Sequence, residues 1–290
     1  MNPVKRERRF ELNGLTIAAQ EWGSPGAPAV MALHGWLDNS ASFERLVPFL
    51  NHIHLVALDL AGHGQSDHRP GVGPYNIWED VPEIFEVANQ LGWPSFTLMG
   101  HSRGGIIGML AAGTFPARIE RLVLIEALWP EVHISEQAPG QLRRSIEGLD
   151  ALQHKRVPVY QDLALAIRAR ERGMFPLGHE AARLLTERGV RSIEGGYTWS
   201  TDQRLLAPSA VKLTEPVITA FLKEASAPMA MILGKEGIPS LFGHYRDALQ
   251  CFPAGLQTLQ LPGGHHLHLE SQAECVANAI NRFLAYDVIC

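Results

Sequence analysis

The sequence predicts an α/β fold: a mostly parallel sheet, doubly wound with helices and interrupted by a helical insertion. Three observations carry this. Short apolar runs at 28–35, 53–60, 95–100 and 121–127 alternate with longer stretches of helical spacing. The runs are apolar on both faces, as strands covered by helices on two sides must be. The rhythm stops near residue 128 and resumes near 228. At 290 residues, with 46% hydrophobic and 19% charged residues, the chain has the balance of a globular protein. A chain of this size buries about three quarters of its unfolded surface, so a full core forms without staples.

Taken in order, residues 8–22 alternate polar and apolar around Asn13-Gly14, the signature of a type I′ hairpin. After the SPGAP linker, PAVMALHG (28–35) reads as a strand and SFERLVPFL (42–50) as a helix. IHLVALDL (53–60) is the next strand and VPEIFEVANQLG (81–92) the next helix. SFTLMG (95–100), the helix GIIGMLAAGTFP (105–116) and RLVLIEA (121–127) close the first block. Residues 128–226 hold helical stretches rich in Ala, Leu and Arg, broken by Pro and Gly. PMAMILG (228–234), LQTLQLPG (256–263) and a last helix over 272–286 restore the pattern. The expected division is a sheet domain of 1–127 and 227–290, with 128–226 as a helical cap.

Several function classes are disfavoured at once. The chain carries 25 Lys+Arg against 30 Asp+Glu, a net charge of −5, and no basic stripe, so no nucleic-acid partner is expected. Cys251, Cys275 and Cys290 are odd in number and irregular in spacing, which suits reduced thiols rather than a disulfide framework or a zinc site. The basic start MNPVKRERRFELNG lacks the apolar stretch of a secretory signal. No run approaches the ~20 apolar residues of a membrane span. A soluble cytoplasmic protein is expected, a monomer or homodimer acting on a small molecule.

The candidate chemistry centres on Gly100-His101-Ser102-Arg103-Gly104, the one GxSxG of the chain. An apolar strand precedes it and a helix of small residues follows, so Ser102 sits where a tight strand-to-helix turn is expected. Late in the chain His265, His266 and His268 lie together. Histidine clusters can bind metal, but neither HExxH nor HxHxD accompanies this one, and no metal is expected.

Four segments resemble the landmarks of the α/β-hydrolase fold, in that family's order. LHGWLDN (33–39) is similar to the His-Gly oxyanion loop and DLAGHGQSD (59–67) to the loop after the fourth strand. MGHSRGG (99–105) is similar to the nucleophile elbow and GGHHLHLE (263–270) to the catalytic histidine loop. Within the fold, LIEALWPEVHISEQAPGQLRR and EGGYTWSTDQRL resemble the serine hydrolase-like proteins. The resemblance implies an eight-stranded sheet and a catalytic triad. It implies Ser102 as nucleophile and His265, directly after Gly264, as base.

The triad acid has two places in the family. The usual one, in the loop after the strand 228–234, here reads Gly234-Lys235-Glu236-Gly237, with Gly237 where Asp is common. The other is the end of the strand 121–126, where Glu126 interrupts an apolar run; IEALWP is similar to a branch of haloalkane dehalogenases with Glu here. Glu126 is taken as the acid, with Glu236 as the alternative. The backbone N–H groups of Trp36 and Arg103 are the implied oxyanion hole. The Arg103 side chain is expected to meet either an anionic part of the substrate or a cap carboxylate.

A serine nucleophile directs such a site to acyl transfer rather than to carboxylate-driven dehalogenation or epoxide opening. The expected function is hydrolysis of carboxylic esters through an acyl-enzyme, without cofactor. Thioester or C–C bond hydrolysis, perhydrolase side activity, and a hydrolase-fold binding protein with weak catalysis are the alternatives. Trp129, Met174, Phe175, Tyr197 and Trp199 of the cap are candidate lining residues for an apolar acyl pocket.

Overall fold

The computed structural model describes residues 4–128 and 133–289. Strands β1 (Arg6–Leu12) and β2 (Leu15–Gly23) form the opening hairpin. Both turn residues, Asn13 and Gly14, have positive φ (47° and 88°), as a type I′ turn requires. Then come β3 (Ala29–Leu33), β4 (His54–Leu58), helix α1 (Asp80–Gln90), β5 (Phe96–His101), α2 (Arg103–Thr114) and β6 (Ile119–Ile125). The insertion contains α3 (Ala138–Gln153), α4 (Leu163–Glu171), α5 (His179–Gly189), a hairpin of β7 (Val190–Ile193) and β8 (Gly196–Trp199), and α6 (Glu215–Glu224). The chain ends with β9 (Met229–Gly234), α7 (Ile238–Leu241), α8 (Tyr245–Leu249), β10 (Gln257–Leu261) and α9 (Ala273–Tyr286).

Eight strands make one sheet in the order β1-β2-β4-β3-β5-β6-β9-β10. β2 runs antiparallel to both neighbours, and β4 through β10 pair in parallel. Side chains of successive strand residues point to opposite faces. In β3, Met31 and Leu33 join the core with α1, α2 and α6, while Val30 and Ala32 join the core with α9. This double burial explains why the strands read as unbroken apolar runs.

Two expectations change. Residues 42–50 form no continuous helix: 3-10 turns occupy Ser40–Phe43 and Val47–Phe49. Asn39 caps the first, and Pro48 in the second removes the N–H a longer helix would need. The insertion also divides in two. Ile218 and Leu222 of α6 belong to the main core, and a Cβ on Gly113 of α2 would lie 2.4 Å from Phe221 O. Helix α6 therefore packs against the sheet domain. The earlier part meets the loop after β3, through α4, α5 and the turn Gln203–Leu206.

Candidate active site

Adjacent parallel strands deliver their next residues to one edge of the sheet. Leu33 pairs with Gly100, Gly100 with Leu124, and Ile125 with Ile232. The residues after β3, β5, β6 and β9 thus emerge side by side, where a parallel sheet gathers ligand-binding loops. Ser102 follows β5 directly, at φ 50° and ψ −119°, a conformation costly for a residue with a side chain. The turn is tight: a Cβ on Gly100 would lie 2.4 Å from Gly105, and one on Gly104 2.2 Å from Leu33 O. Only glycine lets the helix start so close to the strand it leaves.

Ser102 Oγ is 2.9 Å from His265 Nε2, and His265 Nδ1 is 3.1 Å from Glu126 Oε2. An ionised Glu126 can only accept, so Nδ1–H donates to it and Nε2 is left to accept from the serine. Glu126 is fully buried at the end of β6, with φ 47°. Its Oε1 accepts from Gly234 N–H at 2.6 Å and its Oε2 from Ile238 N–H at 2.8 Å. A buried carboxylate requires such partners. Glu236 is exposed and turns to Gly263 N–H instead. The structure also accounts for Gly237: a Cβ there would lie 2.2 Å from Glu126 Oε2. The Glu126 carboxylate fills the space that an Asp at 237 would enter.

Arg103 is the first residue of α2, and its N–H is one of those that helix geometry leaves unpaired. The Arg103 side chain donates to Asp80 of α1 at 2.7 Å, so the carboxylate it pairs with belongs to the sheet domain and not, as expected, to the cap. Trp36 lies in the loop after β3, and its indole N–H donates to Leu205 O of the insertion at 2.9 Å. His34 is held in that loop, Nδ1 on Gly35 O at 2.7 Å and Nε2 accepting from Leu60 N–H at 3.0 Å. Burial holds its pKa below the usual histidine value.

Of the candidate lining residues, Phe175 stacks on the His265 ring with centroids 4.2 Å apart. Trp199 bonds Tyr160 Oη at 3.2 Å and packs near Gly189, so its indole is engaged inside the insertion. Met174 is 74% exposed. Trp129 lies outside the described residues, as does Cys290.

Sequence reasoning passed over Asp38, within the quoted LHGWLDN, and Arg170. Asp38 is buried and accepts from Arg170 and from His266. Asp38, His101 and His266 each offer a potential metal-ligand atom within 4.8 Å of the others, the one such grouping of three or more among the described residues. Arg170 already places a positive charge on that carboxylate.

The family described as alpha/beta hydrolase fold matches residues 28–149. Human serine hydrolase-like protein 2 is 31% identical, over 92% of this chain and 90% of its own length. The chain belongs to the α/β-hydrolases, among the serine hydrolase-like proteins. A solved structure, that of a hypothetical protein from Pseudomonas aeruginosa PAO1, is 42% identical, with a TM-score of 0.89, covering 97% of this chain and 98% of that one. The thioesterase domain from the curacin biosynthetic pathway shares the hydrolase fold at 24% identity and a TM-score of 0.83, covering 97% and 99%. Among the described residues of this hydrolase, no helix is long and apolar enough to cross a membrane.

Proposed function

We propose that this protein hydrolyses carboxylic esters, or closely related acyl substrates, through a Ser102–His265–Glu126 triad. The reading rests on one observation above all: the unbroken hydrogen-bond chain from Ser102 Oγ through both nitrogens of His265 to Glu126. In the proposed reaction Ser102 Oγ attacks the acyl carbon as His265 Nε2 takes its proton. Glu126 stabilises the imidazolium that results. The N–H groups of Arg103 and Trp36 receive the oxyanion. His265 then protonates the leaving alkoxide, and the acyl-enzyme is released by water in a second round of the same steps. No cofactor takes part.

The described residues from 133 to the start of α6 act as a cap over this centre, with Phe175 covering one face of His265. A cap that closes over the serine in this way favours small to medium acyl groups. A p-nitrophenyl ester series from acetate to decanoate, run on the wild type and on Ser102→Ala, tests the reading. Turnover should optimise at short to medium chains and fall by about 10⁴-fold or more in the variant. A fluorophosphonate should label the wild type at Ser102. Absence of labelling together with absence of turnover would turn the assignment toward a binding protein.

A further inference from the structure

Asp38 lies two residues beyond Trp36 and is 2% exposed. Three groups surround its carboxylate. Arg170 Nη2, from α4, donates to Oδ1 at 2.5 Å. His266 Nε2 donates to Oδ2 at 3.0 Å, and His101 Nδ1 faces the same oxygen at 3.8 Å. Burial alone would raise the carboxyl pKa, but His266 and Arg170 outweigh it and hold Asp38 well below the usual range. An ionised Asp38 can only accept, so His266 must carry its proton on Nε2.

His266 follows His265 directly. From the other side His101 donates its Nε2–H to the carbonyl of His265 at 2.9 Å. The backbone that aims His265 is thus tied at its own carbonyl and at the next side chain. Leu269, further along the same loop, packs with Ile167 of α4 and with Ala181, Ala182 and Leu185 of α5.

We propose that Arg170 is a positioning residue of the hydrolytic site: its guanidinium holds Asp38, Asp38 holds His266, and the chain fixes the reach of His265 to Ser102. The inference rests on the Ser102 reading above. Arg170 itself bonds Asp38 and no member of the triad. Replacing it by a neutral group leaves Asp38 with surplus buried charge, which draws on His266 and shifts the histidine loop. Displacements well under an ångström suffice to slow a reaction that depends on alignment.

The test measures turnover of a short p-nitrophenyl ester by wild type, Arg170→Gln, Arg170→Lys, Asp38→Asn and the double variant Arg170→Gln/Asp38→Asn. The ¹⁵N-imidazole NMR spectrum is recorded for each. Arg170→Gln should lower kcat by about 10- to 100-fold. KM should change by less than about twofold, because substrate binding is not what is lost. Arg170→Lys should recover part of the rate. The double variant should be no slower than Asp38→Asn alone, since both changes cut one chain. The His265 and His266 ring resonances should shift in Arg170→Gln.

Unchanged kcat in Arg170→Gln, or losses that multiply in the double variant, overturns the proposal. If Arg170→Gln does not fold, Arg170→Lys carries the same cycle. Turnover that survives Ser102→Ala would overturn the serine reading instead. The spectrum, which needs no turnover, then decides the positioning: His265 resonances indifferent to residue 170 overturn it.

Discussion

The two sides of this site are held by different means. On the sheet side, backbone geometry places the reacting groups: Ser102 and Glu126 both sit at positive φ at strand ends, and Glu126 is anchored by two backbone N–H groups. On the insertion side, side-chain pairs do the holding. Arg170 bonds Asp38, Asn39 Nδ2 donates to Leu185 O at 2.8 Å, and Arg188 Nε lies 3.0 Å from both oxygens of Asp59. A strand end is fixed by the whole sheet, whereas a buried ion pair fails when one partner is removed. The sheet side should therefore respond to substitution mainly in rate, and the Arg188–Asp59 pair of the insertion side mainly in stability, whereas Arg170, which reaches the histidine loop through Asp38, acts on rate as well.

Glu126→Gln tests the sheet side hardest. Glutamine can keep the shape but not the charge that supports the imidazolium. We expect kcat to fall by about 10³- to 10⁴-fold, roughly 4–5 kcal/mol of barrier, and stability to fall by the smaller amount of about 1–3 kcal/mol, because the amide NH2 faces one of the two backbone N–H groups that the carboxylate accepts from. Arg188→Met is the counterpart on the insertion side. It strands Asp59, which is fully buried and also accepts from Ser40 N–H. Denaturant unfolding should show a loss of about 3–5 kcal/mol.

Acid should weaken the fold across both sides. Burial lowers the proton affinity of His34, and of His63, His101 and His268 more strongly. Below the ordinary histidine pKa of about 6.5 the unfolded chain takes up protons that these folded-state histidines refuse. Stability therefore rises with pH through that window and falls on acidification. Glu83 opposes this, because burial pushes its carboxyl up to about 7 and the folded form keeps a proton that the unfolded chain releases. It cancels one of the four. The melting temperature should therefore be lower at about pH 5 than at about pH 7. A flat profile would show that these imidazoles are not buried in neutral form.

Gly237→Ala drives a methyl group into the Glu126 carboxylate. It should cost about 1–3 kcal/mol of stability and slow turnover about tenfold by displacing the acid. Glu236→Gln sets the lower bound, with kcat expected within about twofold of wild type. A large loss there would reverse the ranking of the two carboxylates.

Much of the sheet side was legible because its signals are local. A serine between glycines after an apolar strand, a histidine after Gly264, and one charge closing an apolar run each stand out in a few residues. The space around Gly237 was not legible, since it depends on a side chain from another strand. The Asp38–Arg170 pair was missed for a related reason. Its partners are 132 positions apart, and each taken alone reads as an ordinary polar residue. Nor does α6 advertise its place: amphipathic spacing shows that a helix has an apolar face, not which surface receives it. The segment 42–50 misled because its apolar spacing suits a helix, while Pro48 ends one.

The crowding at Gly237 has a consequence for how such a site could change hands over time. An Asp at 237 and a Glu at 126 compete for one volume, so a chain cannot carry both while it moves the acid from one strand to the other. Adding the second carboxylate first creates a clash, and removing the first leaves His265 without an anion. The two arrangements are separate solutions divided by an impaired intermediate. A designer wishing to relocate the acid must change both positions together.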